Sequence, residues 1–386
     1  MKNIIMTLLI IAFFAGNLFA EYRAEKPAGE GTNDSPYLME SVENLLWLSE
    51  NVTNVASGSY FLQTKDIDAS ETKGWRDGKG FPPIGTYDWM FSFSGSTKEA
   101  LFCGTYDGNN RVISGLYFAL PSNENCGGLF GGVTNSCLKN IKLENITMKA
   151  TYVSGALAGF LASTSVSNCH AQITFTQDGD SSSGNGGLIG EISKFAEIDC
   201  CSAKVKNLKG GYSGGIIGYC IVPYNILEPS VINIRKCFAE GNICGDWVGG
   251  LVGNPGNQPM EDCYSLVDMS GRYNVGGITA FGAKYCKNCY YYGNIENGNP
   301  ISGGDSSGTA SGAYYCSEQG TDPNPGTIGK TYAELLKKET YEGWDFENTW
   351  YIEEDVSLPT LSWEMPEPGI FSLLVAAFGL FVFKRR

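Results

Sequence analysis

A five-residue phrase, Gly-Gly-aliphatic-aliphatic-Gly, returns through the middle of the chain and limits the folds open to it. It reads GGLFG at Gly127 to Gly131 and GALAG at Gly155 to Gly159. It returns as GGLIG at Gly186, GGIIG at Gly214 and GGLVG at Gly249, with a degraded copy, GGITA, at Gly276. Successive starts lie 28, 31, 28, 35 and 27 residues apart. Self-similarity at a period of about 20–50 residues marks a solenoid, a propeller or a repeat array. Such chains stack units that cannot bury their apolar faces alone.

Most units carry a second beat. Cys137 follows its first Gly by ten residues, Cys169, Cys200 and Cys263 follow theirs by fourteen, and Cys289 by thirteen. The fourth unit is stretched by an insertion at Pro223 to Pro229, so that Cys237 arrives after 23. Short alternating runs such as SVSNCHAQI and VINIRKCFAEGNI, bounded by Gly, Asn, Asp and Ser, read as strands and turns. Propeller blades need about 40–50 residues each, and no LxxLxL frame supports leucine-rich repeats. Units of about 28 residues supply the two or three short strands of one β-helix coil, with coils about 4.8 Å apart. The expected fold is therefore all-β, a right-handed parallel β-helix, the hand following from the rule for parallel crossovers. The double Gly is expected at a tight corner, where φ can be positive and no Cβ blocks the next coil. Of the aliphatic pair, one side chain is expected inward and one outward. Residues 60 to 120, with a DGNN turn at Asp107 to Asn110, continue the solenoid less regularly.

These units resemble the GLUG repeat. The resemblance extends upstream through PPIG at Pro82 and FCGTYDGNNRVISGLYF, and downstream through NCYYYGNI to the closing YEGWDFENTWYIEEDVSLPTLSW, covering about residues 37 to 363. It implies a cell-surface or secreted bacterial scaffold, in some cases a part of an adhesin or surface peptidase, without implying one activity.

The ends carry addresses. Lys2, an apolar run from Ile4 to Phe14 and a cleavage edge at Ala20 have the form of a signal peptide over residues 1–20. At the other end Pro366, Glu367 and Pro368 precede an apolar stretch from Gly369 to Phe383 and a basic Lys384, Arg385, Arg386. Basic residues after the stretch should stay cytoplasmic. The stretch is shorter than the roughly 17–25 residues of a comfortable spanning helix, which suits a transient C-terminal hydrophobic helix; a plain tail anchor is the competing reading. The pattern resembles the PEP-CTERM sorting signal. That resemblance implies recognition of Pro366, Glu367 and Pro368 by an exosortase-like membrane protease, contact with the membrane before processing, and presentation at the outer surface of a Gram-negative bacterium that makes exopolysaccharide.

Between the ends the organisation reads as follows. Residues 21–34 form a flexible linker. Residues 35–50 form an N-terminal capping helix, with Ser35 as N-cap, Pro36 in the first turn, and Leu38, Val42, Leu45 and Leu46 covering the first coil. Residues 51–320 form the solenoid. Residues 321–363 form a C-terminal cap, opened by a capping box at Thr331 and Glu334, with Trp344, Phe346 and Trp350 over the last coil. Residues 364–386 form the sorting segment.

Chemistry is sparse. The net charge of −14 argues against nucleic acid, and it suits solubility in an exported chain. Thirteen Cys, an odd number, are expected as stacked free thiols inside the solenoid with a few bridges. Cys286 and Cys289 have metal-pair spacing, but no second pair or nearby His completes a site, and the rung spacing explains them. His170 is the only histidine, so any triad depends on it; a side chain on the solenoid wall is the plainer reading. Asp66, Asp68 and Asp107 are the candidate carboxylates, each in a turn-like context where Asp is common anyway. No catalytic residue, cofactor or metal is assigned. Tyr152, Tyr212, Trp247 and Tyr273 sit two or three residues before Gly pairs and would line one edge. That edge is a candidate glycan-contact stripe, set against a hydrophobic rim packed on itself. The sequence thus points to a structural or adhesive surface protein without catalysis, associated with exopolysaccharide or a biofilm matrix. A polysaccharide lyase or glycoside hydrolase on the same scaffold is the alternative.

Overall fold

A computed structural model describes residues 22–87, 100–120, 126–149, 152–177, 184–221, 231–256, 258–282, 286–304 and 309–365. The proposed signal peptide and the residues from Pro366 onward lie outside these. Among the described residues no helix is long and apolar enough to cross a membrane.

The body is a parallel β-solenoid of about eight turns. Three inward columns make its core. The first passes through Phe61, Tyr106, Leu138, Val166, Ile198, Ile234, Met260 and Cys286. The second passes through Ile67, Ile113, Leu143, Ala171, Ala203, Ala239, Ser265 and Tyr291. The third links Ile84, Phe130, Ala158, Ile189, Ile217, Val252, Thr279 and Ser302. All are buried. Each side chain rests on its equivalents one coil up and down, so the apolar face of one unit is covered only by its neighbours.

The glycine phrase forms the corner entering the third column, and of the two reasons expected for it, close approach holds and positive φ does not. Of the paired glycines only Gly128 has positive φ, at 154°. The rest are needed for close approach. A Cβ on Gly186, Gly214 or Gly249 would sit 1.9 Å from the carbonyl oxygen of Ile189, Ile217 or Val252, and one on Gly250 would meet the Gly277 oxygen at 1.9 Å. The chain bends between the two aliphatic residues, so both point inward: Leu188 and Ile189, Ile216 and Ile217, and Leu251 and Val252 are all fully buried.

Left-handed backbone falls at another corner. Asn140, Asn168, Cys200, Lys236, Asp262 and Asn288 have φ between 51° and 57°. Each turns the chain so that the next residue points inward: Ile141, Cys169, Cys201, Cys237, Cys263 and Cys289, all fully buried. The column is therefore not built from the full Cys beat. Cys200 is the turn residue itself, and Cys137 pairs with Thr105 and Ser165 on the first face, half-buried. Within the column each thiol donates to the carbonyl two residues earlier, as in Cys237 to Arg235 (3.0 Å) and Cys263 to Glu261 (3.1 Å), and lies 3.7 or 3.8 Å from a carbonyl one coil back. All thirteen Cys are free thiols, so the expected bridges are not formed.

Both ends differ from expectation. The N-terminal helix spans Val42–Asn51 with Ser41, not Ser35, as its N-cap. Tyr37–Met39 instead forms the first strand, parallel to Phe61–Gln63. Val42, Leu45 and Leu46 still cover the first coil, joined by Leu48, while Leu38 belongs to the strand. Residues 22–34 are mostly exposed but tied to the body rather than free: Glu25 bonds Glu43 and Asn44, and Leu38 N donates to Ala28 O. The last strand of the solenoid, Thr327–Lys330, carries it past residue 320. At this end Asp322 Oδ2 accepts the amides of Ile301 (2.6 Å) and Ser302 (3.3 Å), and Asn324 Nδ2 donates to Ser302 O (3.0 Å). These side chains stand in for the coil that does not follow, which blunts an edge open to other strands.

Thr331 and Glu334 form the capping box of a short helix, Tyr332–Leu335. The segment after it does not cover the last coil. It turns back along the outer flank as a strap, carrying an antiparallel pair, Trp350–Tyr351 with Thr360–Leu361. Trp344, Phe346 and Trp350 pack there, against the outward side of the second face. The reason is a column of outward residues that want cover: His170, Ser202, Phe238, Tyr264, Tyr290 and Tyr314 lie in register, one per coil.

Candidate functional site

Two aromatic columns stand on the outside of the solenoid, one covered and one open. In the covered column Phe238 and Tyr264 stack at 4.8 Å and 2°, and Tyr264 and Tyr290 at 5.0 Å and 5°. Ser202 breaks the series, and Trp363 of the strap fills the gap. Its ring lies 5.0 Å from His170 and 5.7 Å from Phe238, and its Nε1 donates to Lys236 O at 3.1 Å. Tyr264 donates to Glu364 (2.8 Å) and Tyr290 to Pro359 O (2.7 Å), while Tyr314 accepts from Glu342 N (3.2 Å). Burial raises the Glu364 carboxyl above its usual range, opposed by the bonds from Leu361 N–H and Tyr264.

His170 sits at the foot of this column. Its Nδ1 lies 3.0 Å from Ser202 Oγ and its Nε2 lies 2.8 Å from Asn168 Oδ1. Asn168 Nδ2 donates to Asn140 Oδ1 (2.8 Å) and Asn110 Oδ1 (3.0 Å), so its oxygen faces the ring and the tautomer with hydrogen on Nε2 is favoured. Burial lowers the His170 pKa, which keeps the ring neutral. The chain Ser202–His170–Asn168 has the order of a nucleophilic triad, but Asn168 is uncharged and Trp363 lies over the imidazole.

The open column contains three of the four residues singled out in the sequence. Tyr212 and Trp247 stack at 4.7 Å and 16°, Trp247 and Tyr273 at 5.0 Å and 29°. Tyr219 joins Tyr212 at 4.9 Å, tilted by 43°. Tyr152 is separate. It packs beside Tyr87 and the buried Phe160. The register explains this: Gly184 pairs with Tyr212 and supplies no ring to carry the stack backward. Rings stacked along the solenoid axis present edges outward, so only the ends of the stack offer a face.

Glu191, not noticed in the sequence, fills the space over Gly184, where a Cβ would meet its Cγ at 2.7 Å. It pairs in register with Phe160 on one side and Tyr219 on the other. Burial raises its pKa to about 7, opposed by one bond from Gly184 N (3.3 Å). Of the carboxylates named from the sequence, Asp68 and Asp107 hold local turns, and Asp66 bonds across coils. Asp66 accepts from Val112 N, Asp68 from Ser70 N, and Asp107 from Asn109 N and Asn140 with Lys139 at 3.2 Å. Among the described residues no group of three or more His, Cys, Asp or Glu could hold a metal ion. Pro366, Glu367, Pro368, Lys384, Arg385 and Arg386 lie outside the described residues.

No protein-family model matches the chain. Over 167 residues, 43% of its length, the chain is 34% identical to halomucin of Haloquadratum walsbyi. It is 30% identical over 139 residues to a protein of Evansella cellulosilytica provisionally named a Gly-rich membrane protein. The chain spans only 2% and 14% of the length of these curated relatives. Among solved structures, a Bacteroides ovatus protein described as a candidate immunoglobulin A1 protease superposes with a TM-score of 0.53 at 18% identity, over 87% of this chain and 94% of that one. An IgA1 protease matches with a TM-score of 0.51 at 14% identity, over 83% of this chain and 25% of that one. At these identities the likeness establishes a shared solenoid fold.

Proposed function

We propose that this is an exported bacterial surface protein with a structural or adhesive role, built as a GLUG-type, right-handed solenoid and held with extracellular polysaccharide. The observation that carries the reading is the body itself. Coil after coil is devoted to stacking, the candidate carboxylates are occupied by backbone amides, and the feature left outward is one open aromatic column. The sequence likeness to a protein named for the membrane supports an envelope location. In this reading residues 1–20 direct export. An exosortase-like protease reads Pro366, Glu367 and Pro368, with Lys384, Arg385 and Arg386 held at the cytoplasmic side, and the body is presented at the outer surface of a Gram-negative cell. The test is protease shaving and biotinylation of intact cells, with mass spectrometry of the mature chain. Surface labelling, with a new N-terminus near Glu21 and loss of Arg386, is expected. A body found only in the cytosol defeats the reading, whereas an intact Arg386 on an exposed body defeats only the sorting step.

A second reading, an enzyme acting by acyl transfer, is kept by the Ser202–His170–Asn168 chain and by the protease names of the two solenoids. A fluorophosphonate probe that labels Ser202 in the wild type and not in His170→Ala would favour it. No labelling, even with Trp363→Ala uncovering the ring, removes it.

A further inference from the structure

Among the described residues, the open aromatic stack leaves one ring face uncovered. Tyr212 and Trp247 have their faces against other rings, and Tyr219 closes the stack at the Tyr212 end. Tyr273 touches Trp247 on one side and is 60% exposed, so its far face is open. The register shows why. Between Ser270 and Gly276 the chain uses five residues to round this corner, and of these Arg272 and Tyr273 are exposed while Asn274 is half-buried. In the next coil the equivalent positions are Glu296 and Asn299, with only Asn297 and Gly298 between them. The following corner is three residues shorter, and Tyr273 overhangs a ledge.

Beside the ring, Arg272 lies 3.6 Å from Asp246, with side chains 78% and 15% exposed. The pair offers guanidinium donors and a carboxylate acceptor side by side, a match for adjacent hydroxyls. The C–H face of a pyranose carries slight positive charge and suits the negative face of an aromatic ring. The net charge of −14 repels a polyanion. We infer that Tyr273, with Arg272 and Asp246, forms a stacking site for one residue of a neutral pyranose polysaccharide. This deepens the proposed glycan association and rests on the body being exposed outside the cell. It narrows the stripe of Tyr152, Tyr212, Trp247 and Tyr273 to one contact residue on a supporting stack.

Affinity electrophoresis of the full chain, in gels containing soluble starch, dextran or hydroxyethyl cellulose, tests it, with alginate as the polyanion. Retardation by at least one neutral polymer is expected, retained by Tyr273→Phe and weakened about tenfold or more by Tyr273→Ala. Arg272→Ala should weaken it less. Because Tyr273 is exposed, the far-UV circular dichroism of Tyr273→Ala should match the wild type. Retardation by alginate alone, by no polymer, or equally for Tyr273→Ala and the wild type overturns the inference. The failures are separable: an exposed body that binds no neutral glycan sinks this site and leaves the surface reading, whereas glycan binding by a chain never exposed on cells sinks the surface reading.

Discussion

Gly214 and Gly74 show how differently one residue type can act in this chain. A Cβ on Gly214 would lie 1.9 Å from Ile217 O and 2.7 Å from Gly253 N, both backbone atoms that cannot yield without breaking the stack. Gly74 faces open space. Gly214→Ala should therefore cost about 3 kcal/mol or more, and Gly74→Ala about 0.5 kcal/mol or less, read as the shift in urea midpoint. Glu191 makes a second case. Its folded pKa, raised by burial to about 7, lies above the unfolded value. The protonated acid therefore contributes stability that is fully present below about pH 4.5 and is lost as pH rises through about 7. Melting curves from pH 5 to 8 should show a falling Tm in the wild type and a flatter profile in Glu191→Gln. Equal slopes would mean that Glu191 is better solvated than its place between Phe160 and Tyr219 implies. Neither residue's environment is local in sequence, and that limits what the chain reveals on inspection. The period of the glycine phrase was legible because every unit repeats it. The burial of Glu191 was not, because it is made by coils about 30 residues away on either side.

At the scale of elements, local rules read well where the partner is local and fail where it is not. The capping box of Thr331 and Glu334 lies within one turn and was visible. Ser35-Pro36 also satisfies a helix-start rule, yet Tyr37–Met39 pairs with a strand 24 residues later and the helix waits for Ser41. The strap was missed as a strap because its contacts are remote: Tyr264 to Glu364 spans 100 residues, and Trp363 to Lys236 spans 127. Its aromatic composition announced burial, not location. The same was true of the open column, where the spacing before each Gly pair found Tyr212, Trp247 and Tyr273 but could not show that Tyr152 is out of register. Trp363 completes a ring series between His170 and Phe238, so Trp363→Ala should weaken the far end of the strap by roughly 1–3 kcal/mol. Limited proteolysis would then cut within residues 352–365 while the solenoid resists; an unchanged cleavage pattern would show that the hydrogen bonds of Tyr290 and Tyr264 hold the strap without it. At the end of the stack, Asp322→Ala leaves the Ile301 and Ser302 amides uncapped. Concentration-dependent association by light scattering is the expected result.

At the scale of the whole molecule, a solenoid is nearly a sum of coils and their nearest-neighbour contacts, so whole units can be removed if the register closes again. The strap adds a long-range constraint to that sum, and two deletions separate the two kinds of order. Removing residues 127–154, 28 in all, joins Cys126 to Gly155 and takes out a coil before the covered column reaches its His170 end. Removing residues 214–248, 35 in all, joins Ser213 to Gly249 and takes out Phe238 from within that column. Both chains keep an intact glycine phrase at the junction. Both should keep β-sheet circular dichroism and melt somewhat below the parent, since each loses one pair of interfaces and gains one. Only the second should loosen the strap. With one coil gone between Ser202 and Tyr264, Glu364 still meets Tyr264, but Trp363 would be brought to the level of His170 rather than of Ser202. Protease sensitivity confined to the strap in the 214–248 deletion, and absent from the 127–154 deletion, is the outcome that a stack of coils bound by one lateral strap requires. Global unfolding of both would instead mean that the coils are not interchangeable units.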